Sequence, residues 1–314
     1  MTRHIAWPIT ALLLFGSCAH AADTIKIITP FAAGGPADML ARLLAQELTP
    51  RLSADVIVEN RGGAGGNIGN EAVARAPADG KTLLVGSLGS HVISPSLRGT
   101  SSYDPVAAFT PVALIGSVPS VLVIAPQVKA ETLADLVALA KRTGLKYGSA
   151  GPGTTMNISG ELLNAAAGIK ATHVPYRGAG PAVNDLLGGH IDFLIADFPV
   201  LLPLIAAKSV RALALFGKER SPMLADVATT EELGFPDAVM ENWYGVFAPA
   251  GLPHEIELRL DGAVFDALTS PAMQTRLSEA GLRGSLDTAA FRAKLAADFA
   301  HWRAEIKKLG ITGE

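Results

Sequence analysis

The chain of 314 residues holds a single cysteine, Cys18, and aromatic residues make up only 6% of it. With Cys18 inside an expected export leader, the working protein has no thiol, which excludes disulfides, thiolate catalysis and cysteine-ligated metal. No block of basic residues occurs and the formal net charge is −3, so nucleic acid is not an expected partner. Long hydrophobic runs are missing too: Ile5–Phe15 falls short of the roughly 20 residues that a membrane-spanning helix needs, and no other stretch approaches that length. Catalytic patterns are equally scarce. No serine sits in a Gly-x-Ser-x-Gly elbow, and His254-Glu255-Ile256-Glu257-Leu258 lacks the second histidine of a zinc-protease helix. His91, His173, His190, His254 and His301 are scattered without ligand-like spacing. Gly80-Lys81-Thr82 ends like a phosphate-binding loop, but Arg75 stands where its leading glycine belongs and the segment runs into a strand. Gly63-Ala64-Gly65-Gly66-Asn67-Ile68 has Ile68 in place of the third glycine of a dinucleotide fingerprint. No catalytic residue, metal or cofactor is therefore expected, and the chain does not read as an enzyme.

What is present begins with a leader. In MTRHIAWPITALLLFGSCAHAAD, Arg3 and His4 precede an apolar run and an Ala19-His20-Ala21 site, which predicts a signal peptide over residues 1–21 and a periplasmic product starting at Ala22. Phe15-Gly16-Ser17-Cys18 offers a competing lipoprotein reading with Phe in place of the usual Leu; the complete Ala-x-Ala site favours ordinary cleavage.

Beyond the leader, short β-rich runs alternate with helical patterns. IKIIT precedes a helix over Pro36–Leu52, KYGSA one over Thr155–Ala167, and THVPY one over Ala179–Leu187. VIVE, TLLVG, PVALIG, VLVIAP, IDFLIA and RALALF continue the series, with PVALIG and VLVIAP read as separate strands. This alternation predicts an α/β fold of parallel sheets and crossover helices in two blocks. The C-terminal segment reads as one amphipathic helix with Asp287 as N-cap and Phe291, Leu295, Phe299, Trp302, Ile306 and Leu309 on the face that docks onto its own lobe.

Two strand-to-helix corners stand out. In PFAAGGPADMLAR, Pro36 suits a first helical position, and Gly34 and Gly35 leave backbone N–H groups uncovered at the positive end of a helix. KYGSAGPGTTMNISGEL repeats the arrangement with hydroxyls added, from Ser149 to Thr155. Two such corners at the ends of strands in successive α/β blocks would face one another across a ligand cleft. Taken singly, each is also no more than the turn every α/β protein needs. The glycine-rich stretch Glu59–Asn67 is either a structural loop or part of a pocket rim.

PFAAGGPADMLAR, VENRGGAGGNIG, ADGKTLLVG, YDPVAAFTPV, YGSAGPGTTMNISGEL, HVPYRGAGPAVNDLLGG and WYGVFAPAGLP, in that order, make the chain from about Ile25 onward resemble the tripartite tricarboxylate transporter substrate-binding receptors, also called Bug-type receptors. The resemblance implies a type II periplasmic binding protein, two α/β lobes around a ligand cleft. Its ligand would be a small carboxylate, delivered to a large and a small integral membrane subunit. The lobes are expected at 22–122 with 246–314, and at 123–245. Carried over by position, the resemblance places Phe31, Ala33, Gly34, Gly35 and Asp38 on one side of the ligand and Ser149, Ala150, Gly151, Gly153, Thr154 and Thr155 on the other.

The sequence departs from the family pattern at Ala37, at Asn157 where histidine is common, at Ala108 and at Lys81. Asn157 is kept as a site candidate, and so is Asp197, expected at the end of the IDFLIA strand. Asp38 has helix capping as its competing role; Asp197 either faces the ligand or caps the segment starting at Pro199. A sensor of the same fold, signalling to a membrane partner, is the alternative to uptake.

Overall fold

The computed structural model describes residues 23–98, 102–284 and 287–311; the expected leader, with Cys18, lies outside them. Strand β1, Thr24–Thr29, pairs in parallel with β2, Asp55–Asn60, and with β3, Thr82–Ser87. Helix α1, Pro36–Leu52, crosses between the first two strands and turns Leu40, Leu44 and Leu48 fully inward. Their four-residue spacing puts them on one stripe, and burying each contributes about 1.5–3 kcal/mol. Helix α2, Asn67–Ala74, leads on to β3, and a π-helical turn, Leu88–Ile93, runs from the end of β3 into the short α3, Ser94–Arg98.

The second block repeats the scheme. Helix α4, Leu133–Thr143, is capped by Thr132, whose side chain accepts from the N–H of Asp135. Strand β5, Lys146–Ser149, pairs in parallel with β6, Thr172–Pro175, and with β7, Phe193–Asp197. Helices α5, Thr155–Ala167, and α6, Ala179–Leu187, have the bounds read from the sequence, and α7, Phe198–Ala206, follows β7 directly.

The two blocks are joined by strands that the periodicity misread. PVALIG and VLVIAP belong to one 16-residue strand, β4, Phe109–Ile124. Gly116, Ser117 and Pro119 look like a break, yet the chain stays extended and absorbs the mismatch as register shifts between Pro111 and Ala113 and between Leu114 and Gly116. Up to Pro119 β4 pairs antiparallel with β9, Glu241–Pro249; from Ser120 onward it pairs antiparallel with β7 and with β8, Arg211–Leu215. The order is β2-β1-β3-β9-β4-β7-β5-β6, with β8 also on β4. The architecture is α/β, but the sheets are mixed: parallel at their outer strands, antiparallel wherever β4 and β9 take part.

Helices α8, His254–Thr269, and α9, Pro271–Glu279, precede α10, Thr288–Leu309. Asp287 caps α10 by accepting from the N–H of Ala290 at 2.9 Å. Phe291, Leu295, Phe299, Trp302 and Ile306 are buried, and Trp243 of β9 donates its indole N–H to Asp298 at 2.8 Å, so this helix is docked on its own chain. His91 is buried in the same region, its ring stacked on Phe247 at 3.9 Å, and loss of hydration pushes its pKa down to about 3, as suits a neutral core residue.

Candidate functional site

The first corner is held from behind. Asn60, paired with Thr29 across β1 and β2, donates from Nδ2 to Thr29 Oγ1 at 2.6 Å, and the same amide lies 3.2 Å from the carbonyl of Phe31 and 3.0 Å from Oδ1 of Asp38. Gly34 takes a left-handed φ of 84°, Gly35 is the N-cap and Pro36 opens α1. Asp38 turns back onto this corner. It accepts from the N–H of Gly34 at 3.1 Å and from Arg42, which approaches to 2.9 Å. Burial by itself would raise its pKa, but the bonds from Arg42, Gly34 and Asn60 outweigh it and hold the carboxyl below its ordinary value.

The second corner is built the same way. Gly151 and Gly153 take positive φ, Thr154 is the N-cap of α5, and Asn157 accepts from the N–H of Gly153 at 3.0 Å. Asp38 and Asn157 therefore hold the same place, the third residue of their helices, and each binds the glycine N–H just before its cap. Thr154 Oγ1 donates to the carbonyl of Gly151 at 2.7 Å, and Ser149 Oγ accepts from the N–H of Gly151 at 3.0 Å and lies 2.6 Å from Nε2 of His173.

The corners enclose a narrow cavity of about 30 Å³ between them, room for little more than a water or two as it stands. Of the residues predicted for the site, Phe31, Gly35, Ala150, Thr154, Thr155 and Asp197 line it. Ala33, Gly34, Asp38, Ser149, Gly151, Gly153 and Asn157 are not among its lining residues. Asp38, Ser149 and Asn157 instead bind the turns that shape it. Ser87, Ala179, Asn242 and Tyr244 line the cavity and were not singled out from the sequence; Ala179 arrives as the first residue of α6, and the other three through strand register, Ser87 lying opposite Tyr244 across β3 and β9. A larger depression bounded by Ile124, Arg142 and Arg211 is an open surface feature, with Arg211 placed 3.8 Å from Glu131.

The lining has one unusual property. Gly35, Ser87, Thr154 and Asp197 are the N-caps of α1, the π-helical turn, α5 and α7, and Ala179 is the first residue of α6. The N-terminal ends of five helical segments thus reach one cavity, and among the described residues neither lysine nor arginine lines it, Asp197 being its one charged side chain. Ser87 and Thr154 cap the N–H groups of Ser90 and Asn157; first-turn N–H groups left without a cap favour an anion without a side-chain cation.

Main chain from the two blocks is in direct contact around the cavity. The N–H of Ala32 donates to the carbonyl of Arg177 at 3.0 Å. A Cβ at Gly65 would lie 2.2 Å from the carbonyl oxygen of Pro152, and one at Gly89 would lie 2.8 Å from the N of Thr155. This resolves the glycine-rich stretch as a contact surface against the second corner.

Asp197 is 3% exposed, and although it stands at the N-cap of α7 its side chain makes no bond to that helix. Oδ1 accepts from Ser120 Oγ at 2.8 Å; Oδ2 accepts from Asn242 Nδ2 at 2.6 Å and from the hydroxyl of Tyr244. Asn242 is oriented by the N–H of Trp243, which donates to its Oδ1 at 2.9 Å, so its amide presents N–H to Asp197. Burial pushes the Asp197 carboxyl above its ordinary value, and the donors from Tyr244, Asn242 and Ser120 draw it partly back.

Residues 40–311 match the model of the tripartite tricarboxylate transporter family receptor. Among solved structures, the periplasmic binding protein BugD superposes with a TM-score of 0.89 at 32% identity over 92% of this chain and 98% of that one. A protein of R. palustris solved with adipate gives 0.88 at 33% identity, over 92% and 98% of the two chains. MatC of Rhodopseudomonas palustris, solved with bound malate, gives 0.84 at 32%, over 90% and 98%.

Proposed function

The chain belongs to the tripartite tricarboxylate transporter receptor family, and from that premise we propose that it binds a small carboxylate in the cavity between its two corners and hands it to membrane transport subunits. Family and structural neighbours are solute-binding proteins and not enzymes. The observation that carries the ligand class is the meeting of five helical N-termini at a cavity that no lysine or arginine among the described residues lines. The ligand carboxylate would take backbone N–H groups from the first turns of α1 and α5, with hydroxyls from Thr154 and Thr155 and an apolar wall from Phe31. Ala33, Gly34, Asp38, Ser149, Gly151, Gly153 and Asn157 would act by fixing the shape of the turns. The malate and adipate complexes of the two neighbours support a small organic acid as the ligand.

The two lobes would be 22–122 with 246–314, and 123–245, hinged on β4 and β9. The change of partner in β4 between Pro119 and Ser120 lies close to the first of those boundaries. Ligand binding across both corners would favour the closed state. The protein would work in the periplasm after removal of residues 1–21, with a large and a small membrane subunit as partners. The test is thermal unfolding of the ligand-free mature protein against a panel of small carboxylates. A true ligand at about a hundred times its Kd adds roughly 2.7 kcal/mol of stability. No shift with any acid, on folded and ligand-free protein, overturns the reading.

A further inference from the structure

Resting on the receptor reading above, we propose that Asp197 sets the class of acid: the ligand carries a hydrogen-bond donor, a hydroxyl or an ammonium group, beside the carboxylate that the corners hold. Every protein group bonded to Asp197 can act as its donor, and Asn242 is fixed in that role by Trp243. The surroundings are therefore those of an ionised, accepting carboxylate. An ionised carboxylate offers two acceptor positions on each oxygen. Oδ2 has both filled, by Asn242 and Tyr244, whereas Oδ1 has one filled, by Ser120. The first turn of α7 does not take the remaining position, because the side chain makes no cap bond. Asp197 lines the cavity, and in this proposal the group that completes Oδ1 comes from the occupant of the cavity.

Charge points the same way. A second ligand carboxylate placed beside Asp197 would meet a buried negative charge with no lysine or arginine in the lining to offset it. A hydroxyl or ammonium group in that place fills the open acceptor position, and a plain methylene leaves it empty. Sites that hydrogen-bond a substrate hydroxyl reject the analogue lacking it far more strongly than apolar pockets reject a missing methylene.

The experiment is calorimetric titration of the ligand-free exported protein with matched acids. Succinate is set against malate and aspartate, propionate against lactate and alanine, and adipate against 2-aminoadipate. For the chain length that binds, the substituted acid is expected to bind at least about tenfold more tightly than the plain one, and the hydroxyl and ammonium arms show which donor is used. Asp197→Asn should bring the pair to within about threefold, by removing the charge and one acceptor. If that variant does not fold, Ser120→Ala tests the same point, because it leaves the ligand as the sole partner of Oδ1 and should widen the ratio. A plain acid that binds as tightly as its substituted partner, or a ratio that Ser120→Ala leaves unchanged, overturns the role of Asp197 while the receptor reading stands. Binding of no acid at all removes both.

Discussion

The hydroxyl of Tyr244 donates to Oδ2 of Asp197, tying the strand shared with β3 and β4 to the last residue of β7. Both residues are buried and both line the cavity. Tyr244→Phe keeps the ring and removes only the donor to a charged group, a loss of about 1.5–3 kcal/mol. Urea unfolding should show this as a lower midpoint with an unchanged slope; an unaltered midpoint would mean that the bond contributes nothing net.

Gly89 lies where main chain of the π-helical turn meets the second corner, with room for no Cβ beside Thr155. Gly89→Ala carries no positive-φ penalty, so its effect is confined to that contact. Ligand affinity should fall at least tenfold, about 1.4 kcal/mol, because main chain at Thr154 and Thr155 has to give way to the added methyl. Equal affinity would show that the contact is not needed in the bound state.

Thr154 and Thr155 line the cavity, and Thr154 also caps α5. Replacing both by Ala should weaken carboxylate binding measurably and cost about 1 kcal/mol of stability through the lost cap. Titration and unfolding together separate the two effects; unchanged affinity would remove these hydroxyls from the ligand's contacts.

Asp38 has its pKa lowered in the folded chain, so its contribution to stability is complete above the ordinary carboxylate value of 3.8 and is lost as pH falls below it, through the lowered value. Asp38→Asn should therefore be less stable than the parent at pH 7, by about 1–2 kcal/mol, with the gap closing under acid. Unfolding midpoints at pH 7 and near pH 3 check the sign; a gap that widens on acidification would contradict it.

The elements legible in the sequence were those fixed locally. Pro36 after two glycines, Thr154 before Thr155–Ala167 and Asp287 before the last helix each mark a helix start by chemistry within a few residues, and the structure puts the starts there. The strand β4 was misread because Gly116 and Pro119 look like a break, and only its partner β9 shows that the chain continues. The lining of the candidate cavity was half legible for the same reason. Phe31, Gly35, Thr154 and Thr155 belong to turns that announce themselves, but Ser87, Asn242 and Tyr244 enter through cross-strand register, which no short window contains. Asp38 and Asn157 lay inside the right motifs and still do not line the cavity, because a side chain three places into a helix reaches back to the turn before it.

The cavity takes its positive character from main chain, and that bears on how such a protein can change over generations. A site gripped by an arginine loses its grip with one codon, but N–H groups at helix starts survive nearly every substitution except proline. The part open to mutation is the wall: Phe31, Met156, Ala179, Ala196 and the Asp197 cluster. Under the proposed reading, altering those walls would change which solute is accepted while the main-chain donors stay in place.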